Sequence, residues 1–423
     1  MRVLLTGSSG FIGRHLIPVL IAHRHQVVCA GRSLRKPAGC DAVVDADFTR
    51  DTTPQAWLPR LHGIDAVINA VGIVRERGRQ TFESLHVSAP RALFDACAIA
   101  GVRRVINISA LGADEAARSG YHLSKRQADQ HLAQLPLAWT IVQPSLVYGA
   151  DGESARLFTS LAALPLIPLP AGGGQPVQPI HIDDLAMGLA MLLTDAATER
   201  RVIAFVGPRP VTLRAFLTGL RQSMQLGPTR FLSVPRWLVR LVARVGDALP
   251  GSLLNSETWG MLERGNTGDA RELQTLVQRE LRSPDRFIES DRGSDTRVTA
   301  QLSWLLPILR LSIATVWIGT GVVSLGLYPV ASSYELLART GVPSALFPLF
   351  LYGAAVFDLS LGIATLTLRR RRVLWRIQIG LILLYTVIIS IRLPEFWLHP
   401  YGPLLKNLPM LAAITLLHVL EKR

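Results

Sequence analysis

The sequence predicts an α/β protein with a doubly wound parallel sheet and a small substrate lobe, followed by a four-helix transmembrane bundle. A glycine-rich turn follows the first apolar run, further apolar runs alternate with helical patterns, and long apolar segments lie near the C-terminal end. Alternating strands and helices favour a parallel sheet that is covered on both faces. We expect three parts: a sheet domain at 1–230, lobe helices and a linker at 231–302, and a membrane domain at 303–423.

The chain begins with a short apolar run, residues 1–5, and the glycine-rich turn follows it at once. Glycines between a strand and a helix allow a tight turn and a close approach of the backbone, and the helix N-terminus offers free N–H groups. This geometry binds the pyrophosphate of a dinucleotide, so we expect more than an ordinary glycine turn. The residues predicted to bind the cofactor here are Gly7, Gly10, Phe11, Ile12 and Gly13.

Further apolar runs alternate with helical patterns after this turn. The predicted strands lie at 27–30, 42–48, 66–72 and 104–109, and the predicted helices at 14–20 and 90–100. Because helices connect consecutive strands, we expect the parallel, doubly wound sheet of a Rossmann fold.

The end of the second predicted strand bears on the choice of dinucleotide. Arg32 follows this strand, and Arg35 and Lys36 lie close by in the sequence. An acidic residue at this place usually accepts a hydrogen bond from the ribose 2′-hydroxyl of NAD, whereas an arginine accommodates the 2′-phosphate of NADP. Arg32 therefore predicts NADP in preference to NAD, with a solvated basic loop as the alternative interpretation.

A second group of residues follows the fifth predicted strand. Tyr121 and Lys125 are four residues apart and so share one face of a helix, and Ser109 ends the preceding strand. A free tyrosine has a pKa of about 10, and a nearby ammonium lowers that pKa toward the range in which general acid–base catalysis is efficient. We predict that Ser109, Tyr121 and Lys125 are catalytic, with Ser109 holding the substrate oxygen.

Six motifs in a fixed order resemble the extended or atypical short-chain dehydrogenase/reductase superfamily, over residues 1 to about 230. They are TGSSGFIG at 6–13, NAVG at 69–72, ISALGA at 108–113, YHLSK at 121–125, QPSLVYG at 143–149 and PIHIDDLA at 179–186. The resemblance implies a catalytic Ser-Tyr-Lys set, here Ser109, Tyr121 and Lys125. It also implies cofactor contacts for Asn69, for Lys125 at the nicotinamide ribose, and for Asp47 beside the adenine.

Within that superfamily the chain is most similar to the subgroup of the accessory NADPH-binding subunit of respiratory complex I. Members of this subgroup often lack the tyrosine and the lysine, and this chain has both. Extended relatives commonly carry an asparagine before the helix predicted at 90–100, where this chain has His86. The proton relay that is usual in the family is therefore not assigned to residues of this chain.

Four apolar segments are close to the roughly 20 residues that a helix needs to cross a bilayer. They lie at about 305–328, 344–368, 373–392 and 403–420. The last is the weakest, because Lys406 and Asn407 lie in its first turns. Asp358 lies inside the second, where we expect it to pair with Arg310 or Arg376 or to relay protons. A buried helical bundle in a soluble domain is the less favoured alternative, and HPYGPLLKNLPML at 399–411 makes the tail resemble the DoxX-like membrane family.

Charges and cysteines bear on the location of the chain. Residues 369–372 are four arginines between the second and third segments, and they are expected in the cytoplasm. Four spans then place the N-terminal domain in the cytoplasm, as expected of a multi-pass protein of a bacterial-type inner membrane. Cys29, Cys40 and Cys97 have no metal-type spacing, so we expect no metal site and reduced thiols.

The segment between the sheet and the membrane domain contains three ambiguous features. Residues 234–244 form a basic amphipathic helix that either lies on a membrane surface or packs over the substrate pocket. His181 and Asp183 are expected to be structural and not metal ligands. The charged residues 282–297 are expected to form a linker.

The net charge of +14 would suit nucleic acid, but no nucleic-acid motif accompanies it, and an apolar fraction of 49% points to a membrane. The predicted function is a membrane-anchored, NADP-dependent oxidoreductase acting on a lipophilic or quinone-like carbonyl or hydroxyl group. A non-catalytic NADPH-binding assembly or sensor protein of a membrane complex is one alternative. An epimerase-type enzyme that retains its cofactor is the other.

Overall fold

The computed structural model describes residues 1–32, 37–249, 252 and 254–421. These residues form two compact units, Met1–Ala300 and Gln301–Arg423. The predicted basic residues Arg35 and Lys36 lie outside the described residues.

The first unit contains all the described strands. They are β1 (Arg2–Thr6), β2 (Gln26–Gly31), β3 (Ala42–Asp45), β4 (Ala66–Asn69), β5 (Arg104–Ile108), β6 (Ala138–Pro144), β7 (Val147–Tyr148), β8 (Ile167–Pro170), β9 (Pro176–Val177), β10 (Ile180–His181), β11 (Arg201–Phe205), β12 (Val211–Thr212) and β13 (Phe231–Val234).

Seven strands form one parallel sheet in the order β3-β2-β1-β4-β5-β6-β11. The order reverses between β1 and β4, and in such sheets ligands bind at this switch point, beyond the carboxyl ends of the strands. The predicted doubly wound parallel sheet is confirmed. The third and fourth strands end earlier than predicted, at Asp45 and Asn69.

The α-helices described in the first unit surround this sheet and build the lobe beside it. They are α1 (Phe11–Ala22), α2 (Pro54–Trp57), α3 (Ala89–Ala100), α4 (Gly120–Gln134), α5 (Glu153–Ala162), α6 (Ile182–Met191), α7 (Leu213–Ser223), α8 (Arg236–Ala248), α9 (Ser256–Arg264) and α10 (Arg271–Val277). Leu16, Leu189 and Leu273 of α1, α6 and α10 pack in the core on one face of the sheet. The helices α2, α3 and α4 pack in the core on the other face.

The substrate lobe is built from three two-stranded pairings, β7 with β10, β8 with β13 and β9 with β12. Its core includes Tyr148, Phe216 and Phe287. The expectation that 282–297 is only a linker is wrong in part, because Phe287 and Ile288 are buried in this core and a long helix begins at Gly293. The surrounding residues are mostly polar, so the sequence pattern did not predict that this apolar pair is buried.

The cysteines also differ from the expectation. Cys29 of β2 and Cys40 are joined by a disulfide with their Cα atoms 6.0 Å apart, so the predicted reduced thiols are wrong for this pair. The pairing follows from the return of the chain between β2 and β3, which run side by side. Cys97 is free and buried, and burial raises the pKa of its thiol.

The membrane unit is helical. Its helices are α11 (Gly293–Val322), which begins in the first unit, α12 (Val330–Thr340), α13 (Phe347–Thr367), α14 (Arg372–Arg392) and α15 (Asn407–Leu420). Three helical segments, Ser290–Leu327, Ser344–Thr367 and Arg372–Arg392, are long and apolar enough to cross a membrane. The fourth predicted span corresponds to α15, whose 14 residues extend only about 21 Å.

Asp358 lies in the middle of α13 and is 6% exposed. Within the described residues its Oδ1 atom has no hydrogen-bond partner, and the expected ion pair with Arg310 or Arg376 is not formed. Two helical turns away, Gln378 of α14 donates to Thr365 of α13 at 2.8 Å. The interface between α13 and α14 is therefore partly polar.

Candidate active site

The glycine turn between β1 and α1 depends on two close approaches of the backbone. Gly7 has a φ of +68°, and a Cβ there would lie 2.7 Å from the carbonyl group of Ala70. A Cβ on Gly13 would lie 2.3 Å from the carbonyl oxygen of Gly7. The turn therefore excludes side chains at both positions and leaves bare backbone at the switch point of the sheet.

The N-terminus of α1 offers hydrogen-bond donors at the same place. Its N-cap residue, Gly10, makes no side-chain cap, and the first intrahelical bond runs from the Arg14 N–H to the Gly10 carbonyl at 3.0 Å. The N–H groups of Phe11, Ile12 and Gly13 precede that bond and can bind an anion. This arrangement fits the pyrophosphate for which the sequence predicts it.

The other two predicted adenosine contacts lie after β2 and β3. The amide oxygen of Gln80, in the orientation that satisfies both groups, accepts from the two Nη atoms of Arg32 at 2.7 and 3.1 Å. The Asp47 carboxylate accepts from Thr49 N–H and Oγ1 at 3.0 and 2.8 Å and from Arg50 Nε at 3.1 Å. Burial raises the pKa of Asp47, but these bonds outweigh it and hold the pKa below its usual value. The contact of Asp47 with the adenine stays a prediction.

Buried side-chain hydrogen bonds cross the carboxyl ends of β1, β4 and β5. Thr6 Oγ1 donates to Asn69 Oδ1 at 2.7 Å, and Asn69 Nδ2 donates to Asn107 Oδ1 at 2.9 Å. Asn107 Nδ2 then donates to Asp129 Oδ1 on α4 at 2.8 Å, and Ser109 Oγ donates to Asp129 Oδ2. The side chain of Asn69 is thus engaged within the protein, and its predicted contact with the cofactor stays a prediction.

Lys125 lies one helical turn before Asp129 on the same face of α4. Its Nζ donates to the carbonyl of Ile108 at 2.9 Å and to that of Val71 at 3.2 Å, which ties α4 to the ends of β5 and β4. Burial lowers the pKa of Lys125 to about 8, although the charge of Asp129 raises it. An ammonium has three N–H donors, so one remains for a ligand.

Tyr121 lies one turn before Lys125 in α4. Its ring centroid is 5.6 Å from that of His86, and its backbone N–H donates to Glu257 Oε1 at 3.1 Å. Burial raises the pKa of Tyr121 to about 12, and the charge of Asp129 acts in the same direction. The expectation of a lowered pKa for Tyr121 is therefore wrong, because burial dominates the net shift.

His86 fixes the start of α4. Its Nε2 atom accepts from the Ile73 N–H at 3.0 Å, so the ring proton is on Nδ1, which lies 2.9 Å from Ser124 Oγ. Ser124 Oγ in turn donates to the Tyr121 carbonyl at 2.9 Å. Burial, together with the charge of Lys125, lowers the pKa of His86 to about 2. His86 is thus uncharged at neutral pH, and its ring links the Ile73 backbone to the Ser124 side chain by hydrogen bonds.

The structure brings Ser109, Tyr121 and Lys125 to the carboxyl ends of β4 and β5. Among the described residues, no hydrogen bond joins Tyr121 Oη to the other two side chains. Sequence reasoning missed Asp129, although it follows Lys125 at the same four-residue spacing and so shares its helix face. Glu257, 136 residues from Tyr121, gave no sequence signal.

A cavity of about 240 Å³ is lined by Phe82 and Glu257, which both contact Tyr121, but Tyr121 itself is not among its lining residues. The ring centroid of Phe82 lies 6.1 Å from that of Tyr121. The other lining residues are Arg75, Glu76, Gly246, Asp247, Leu249, Ser252 and Asn255. A larger cavity of about 390 Å³ lies beside α7, away from these residues. The smaller cavity is the candidate substrate pocket.

His181 and Asp183 make contacts within the lobe, and their expected structural role stays a prediction. His181 Nδ1 accepts from the Asp183 N–H at 3.2 Å, and its ring centroid lies 5.4 Å from that of Phe287. Within the described residues, no group of three or more metal-ligating side chains is present.

Two family models match this chain, one in its N-terminal part and one in its C-terminal part. Residues 7–162 match a family model described as NAD(P)H-binding, and residues 314–415 match the DoxX-like family. The chain therefore combines an NAD(P)H-binding Rossmann domain with a DoxX-like membrane domain, which confirms the two resemblances at this level.

Similar proteins cover parts of the chain. A ceramide reductase of Caulobacter vibrioides is 30% identical over 189 residues, 44% of this chain and 59% of that protein. NADH dehydrogenase (ubiquinone) 1 alpha subcomplex subunit 9, mitochondrial, of Mus musculus is 27% identical over 217 residues, 48% of this chain and 55% of that protein. The chain thus spans less than two thirds of the length of each.

A solved structure shows the fold of the first unit. A nucleoside-diphosphate-sugar epimerase from Staphylococcus aureus is similar with a TM-score of 0.56 at 17% sequence identity. The similarity covers 68% of this chain and all of that chain. At this identity it shows the Rossmann-type fold alone.

Proposed function

We propose that this chain is a membrane-anchored oxidoreductase of the short-chain dehydrogenase/reductase type that uses NADPH to reduce a carbonyl group of a lipophilic or quinone-like substrate. The observation that carries the proposal is the pairing of Tyr121 with buried Lys125 on one face of α4, at the strand ends beside the glycine turn. The names of the two relatives, a ceramide reductase and a subunit of a ubiquinone-linked dehydrogenase, support it.

Tyr121 is assigned the role of general acid. A bound nicotinamide supplies the hydride that goes to the carbonyl carbon, and the oxygen then needs a proton. An alkoxide is a far stronger base than a phenolate, so transfer from Tyr121 Oη is favourable even with its pKa raised to about 12. The raised pKa also keeps the phenol protonated at neutral pH, as an acid in the direction of reduction requires.

Lys125 is assigned two tasks. Its third N–H donor binds the ribose of the cofactor, because the other two are held by strand carbonyls. Its charge also stabilises the phenolate that remains on Tyr121 after proton transfer. With its pKa lowered only to about 8, Lys125 still carries that charge at neutral pH.

Asp129 is assigned control over the proton of Ser109. A serine hydroxyl has one proton, and Ser109 donates it to Asp129, so an ionised Asp129 leaves Ser109 only its lone pairs for a ligand. A protonated Asp129 instead donates to Ser109 and frees the serine proton for a substrate carbonyl. Burial raises the pKa of Asp129 to about 6, which places this change just below neutral pH.

A second candidate function is a non-catalytic NADPH-binding protein of a membrane complex. It is favoured by the similarity to a subunit of a respiratory dehydrogenase and by the engaged hydroxyl of Ser109. An epimerase that retains its cofactor is a variant of the enzymatic function. Tight NADPH binding without turnover on any carbonyl substrate would favour the non-catalytic function.

The first prediction concerns the cofactor. Arg32 follows β2, where a guanidinium binds a ribose 2′-phosphate, so NADPH should bind more tightly than NADH. Fluorescence titration of the full chain in detergent should show this preference. Arg32→Ala should reduce it by about tenfold, the scale of one charge-assisted contact, whereas Arg50→Ala should not. Equal affinities for NADPH and NADH in the unaltered protein would contradict the assignment.

The second prediction concerns the general acid. Tyr121→Phe removes the transferable proton and retains the ring, so it should lower the turnover of an accepted carbonyl substrate by about 10² or more. NADPH affinity should stay nearly unchanged, and Tyr328→Phe in the membrane unit serves as the control. The substrate panel should include long-chain aldehydes, ketones and quinones. Full activity of Tyr121→Phe would exclude this tyrosine as the acid.

The third prediction concerns pH. The rate of reduction should rise as the pH falls through about 6, because Asp129 then becomes protonated and Ser109 can donate. Asp129→Asn should abolish this limb and raise the rate at pH 8, since the Asn amide donates to Ser109 at every pH and its oxygen still accepts from Asn107. A separate change near pH 8 belongs to Lys125. An unchanged acid limb in Asp129→Asn would refute the assignment, and Asp95→Asn is the control.

The fourth prediction concerns orientation. The arginines at 369–372 favour a cytoplasmic first unit, whereas the Cys29–Cys40 disulfide favours an oxidising compartment. We propose that the first unit lies in the cytoplasm, because NADPH is available there and the arginines at 369–372 favour the same side of the membrane. A reporter inserted near residue 399 should then be external and one fused after residue 423 cytoplasmic. Exposure of residues 369–372 to an external protease would contradict this orientation.

A further inference from the structure

The helix α8 presents three different faces along its length. Val239, Ala243 and Gly246 are buried against α9, where Trp259 is also buried. A Cβ on Gly246 would lie 1.9 Å from the Leu254 carbonyl oxygen, so the helix is held tightly at this end. The packing of α8 therefore uses only one of its faces.

A second face of α8 is apolar and open to solvent. Trp237, Leu241 and Val245 follow one another at intervals of four residues and are 67%, 51% and 55% exposed. Leu249, just past the C-terminal end of the helix, continues this stripe and is 58% exposed. Contiguous exposed apolar patches of this kind generally mark an interaction surface.

The third face of α8 is basic. Arg236, Arg240 and Arg244 each precede one residue of the apolar stripe, so the two stripes run side by side along the helix. The Nε of Arg236 and the Nη2 of Arg240 lie 3.9 and 3.6 Å from Glu263 Oε1, and both side chains remain mostly exposed. Such solvent-exposed pairs contribute little and leave the face positively charged.

We propose that α8 lies on an anionic lipid surface, with its apolar stripe in the bilayer interface and its arginines at the lipid phosphates. A helix with a large apolar face and a basic face is typical of binding in the plane of a membrane. The same chain has helices long enough to cross a bilayer, so a lipid surface is available to it. The packed face of α8 holds the helix to the lobe.

The contact with lipid has a consequence for the candidate pocket. Gly246, Asp247 and Leu249 at the C-terminal end of α8 line the cavity of about 240 Å³, which Phe82, a ring neighbour of Tyr121, also lines. An α8 that rests on the bilayer would hold the mouth of this cavity at the lipid interface. Resting here on the proposed function, we assign to the site an amphiphilic carbonyl substrate that enters from the bilayer with its polar end toward Tyr121.

The test uses the full chain in lipid vesicles and does not need a known substrate. Single cysteines at Leu241→Cys, Leu249→Cys and the control Ile99→Cys are labelled with an environment-sensitive fluorophore. Ile99 is exposed on α3, and the three native cysteines are buried. In vesicles that contain phosphatidylglycerol, a lipid with a spin label in its acyl chain should quench the probes at 241 and 249 at least about twofold more than the probe at 99.

The charge of α8 is tested in the same system. Quenching at 241 should weaken in purely zwitterionic vesicles and at high salt, and replacing Arg236, Arg240 and Arg244 by Gln should remove this dependence on anionic lipid. The control substitution is Arg91→Gln on α3. Because these arginines are exposed, their replacement should leave folding and NADPH affinity unchanged.

Each outcome decides a part of the proposal. Equal quenching at 241 and 99 would refute the contact with lipid. A probe at 241 that is shielded from water but not quenched by the labelled lipid would show that a second protein copy covers the stripe. Quenching at 241 without quenching at 249 would refute entry from the bilayer. These results are independent of turnover, so failure of the Tyr121→Phe test would overturn the proposed function and leave the lipid contact standing.

Discussion

The candidate site depends on one buried carboxylate, Asp129, and on the hydrogen bonds that satisfy it. A carboxylate removed from water is costly unless both of its oxygens are hydrogen-bonded. Asn107 and Ser109, at the end of β5, supply these bonds and so fix α4 against the sheet. Because Tyr121 and Lys125 lie on the same face of α4, the network also sets their position relative to β4 and β5. The positions of these two side chains thus follow from the buried hydrogen-bond network.

Under the proposed function, the NAD(P)H-binding domain has to meet a substrate of low water solubility. The glycine turn and the free N–H groups at the start of α1 account for binding of a water-soluble dinucleotide. We propose that the exposed apolar stripe of α8 gives this substrate access from the lipid phase. The candidate pocket is lined by Leu249, at the end of this stripe, and by Phe82, which contacts Tyr121.

Much of the fold was predictable because it depends on local patterns. Apolar runs, glycines and the four-residue spacing of Tyr121 and Lys125 act within a few residues, and they predict the sheet, the dinucleotide turn and the face of α4. The contact of Glu257 with Tyr121 and the burial of Phe287 in the lobe depend on packing between distant segments, which one sequence does not reveal. The raised pKa of Tyr121 was missed for the same reason. The fourth predicted span corresponds to an apolar helix of 14 residues, which is shorter than the three segments that are long enough to cross a membrane.

The most direct test of the central claim is hydride transfer itself. The full chain, in vesicles made from a total bacterial lipid extract, is incubated with NADPH that carries deuterium at C4 of the nicotinamide, in separate samples for the two C4 positions. High-resolution mass spectrometry of the lipids then searches for a product that gains one deuterium and one hydrogen. We expect such an alcohol from one of the two labelled cofactors. Absence of deuterated lipid from both, with NADPH bound, would contradict the reductase assignment and favour a binding protein.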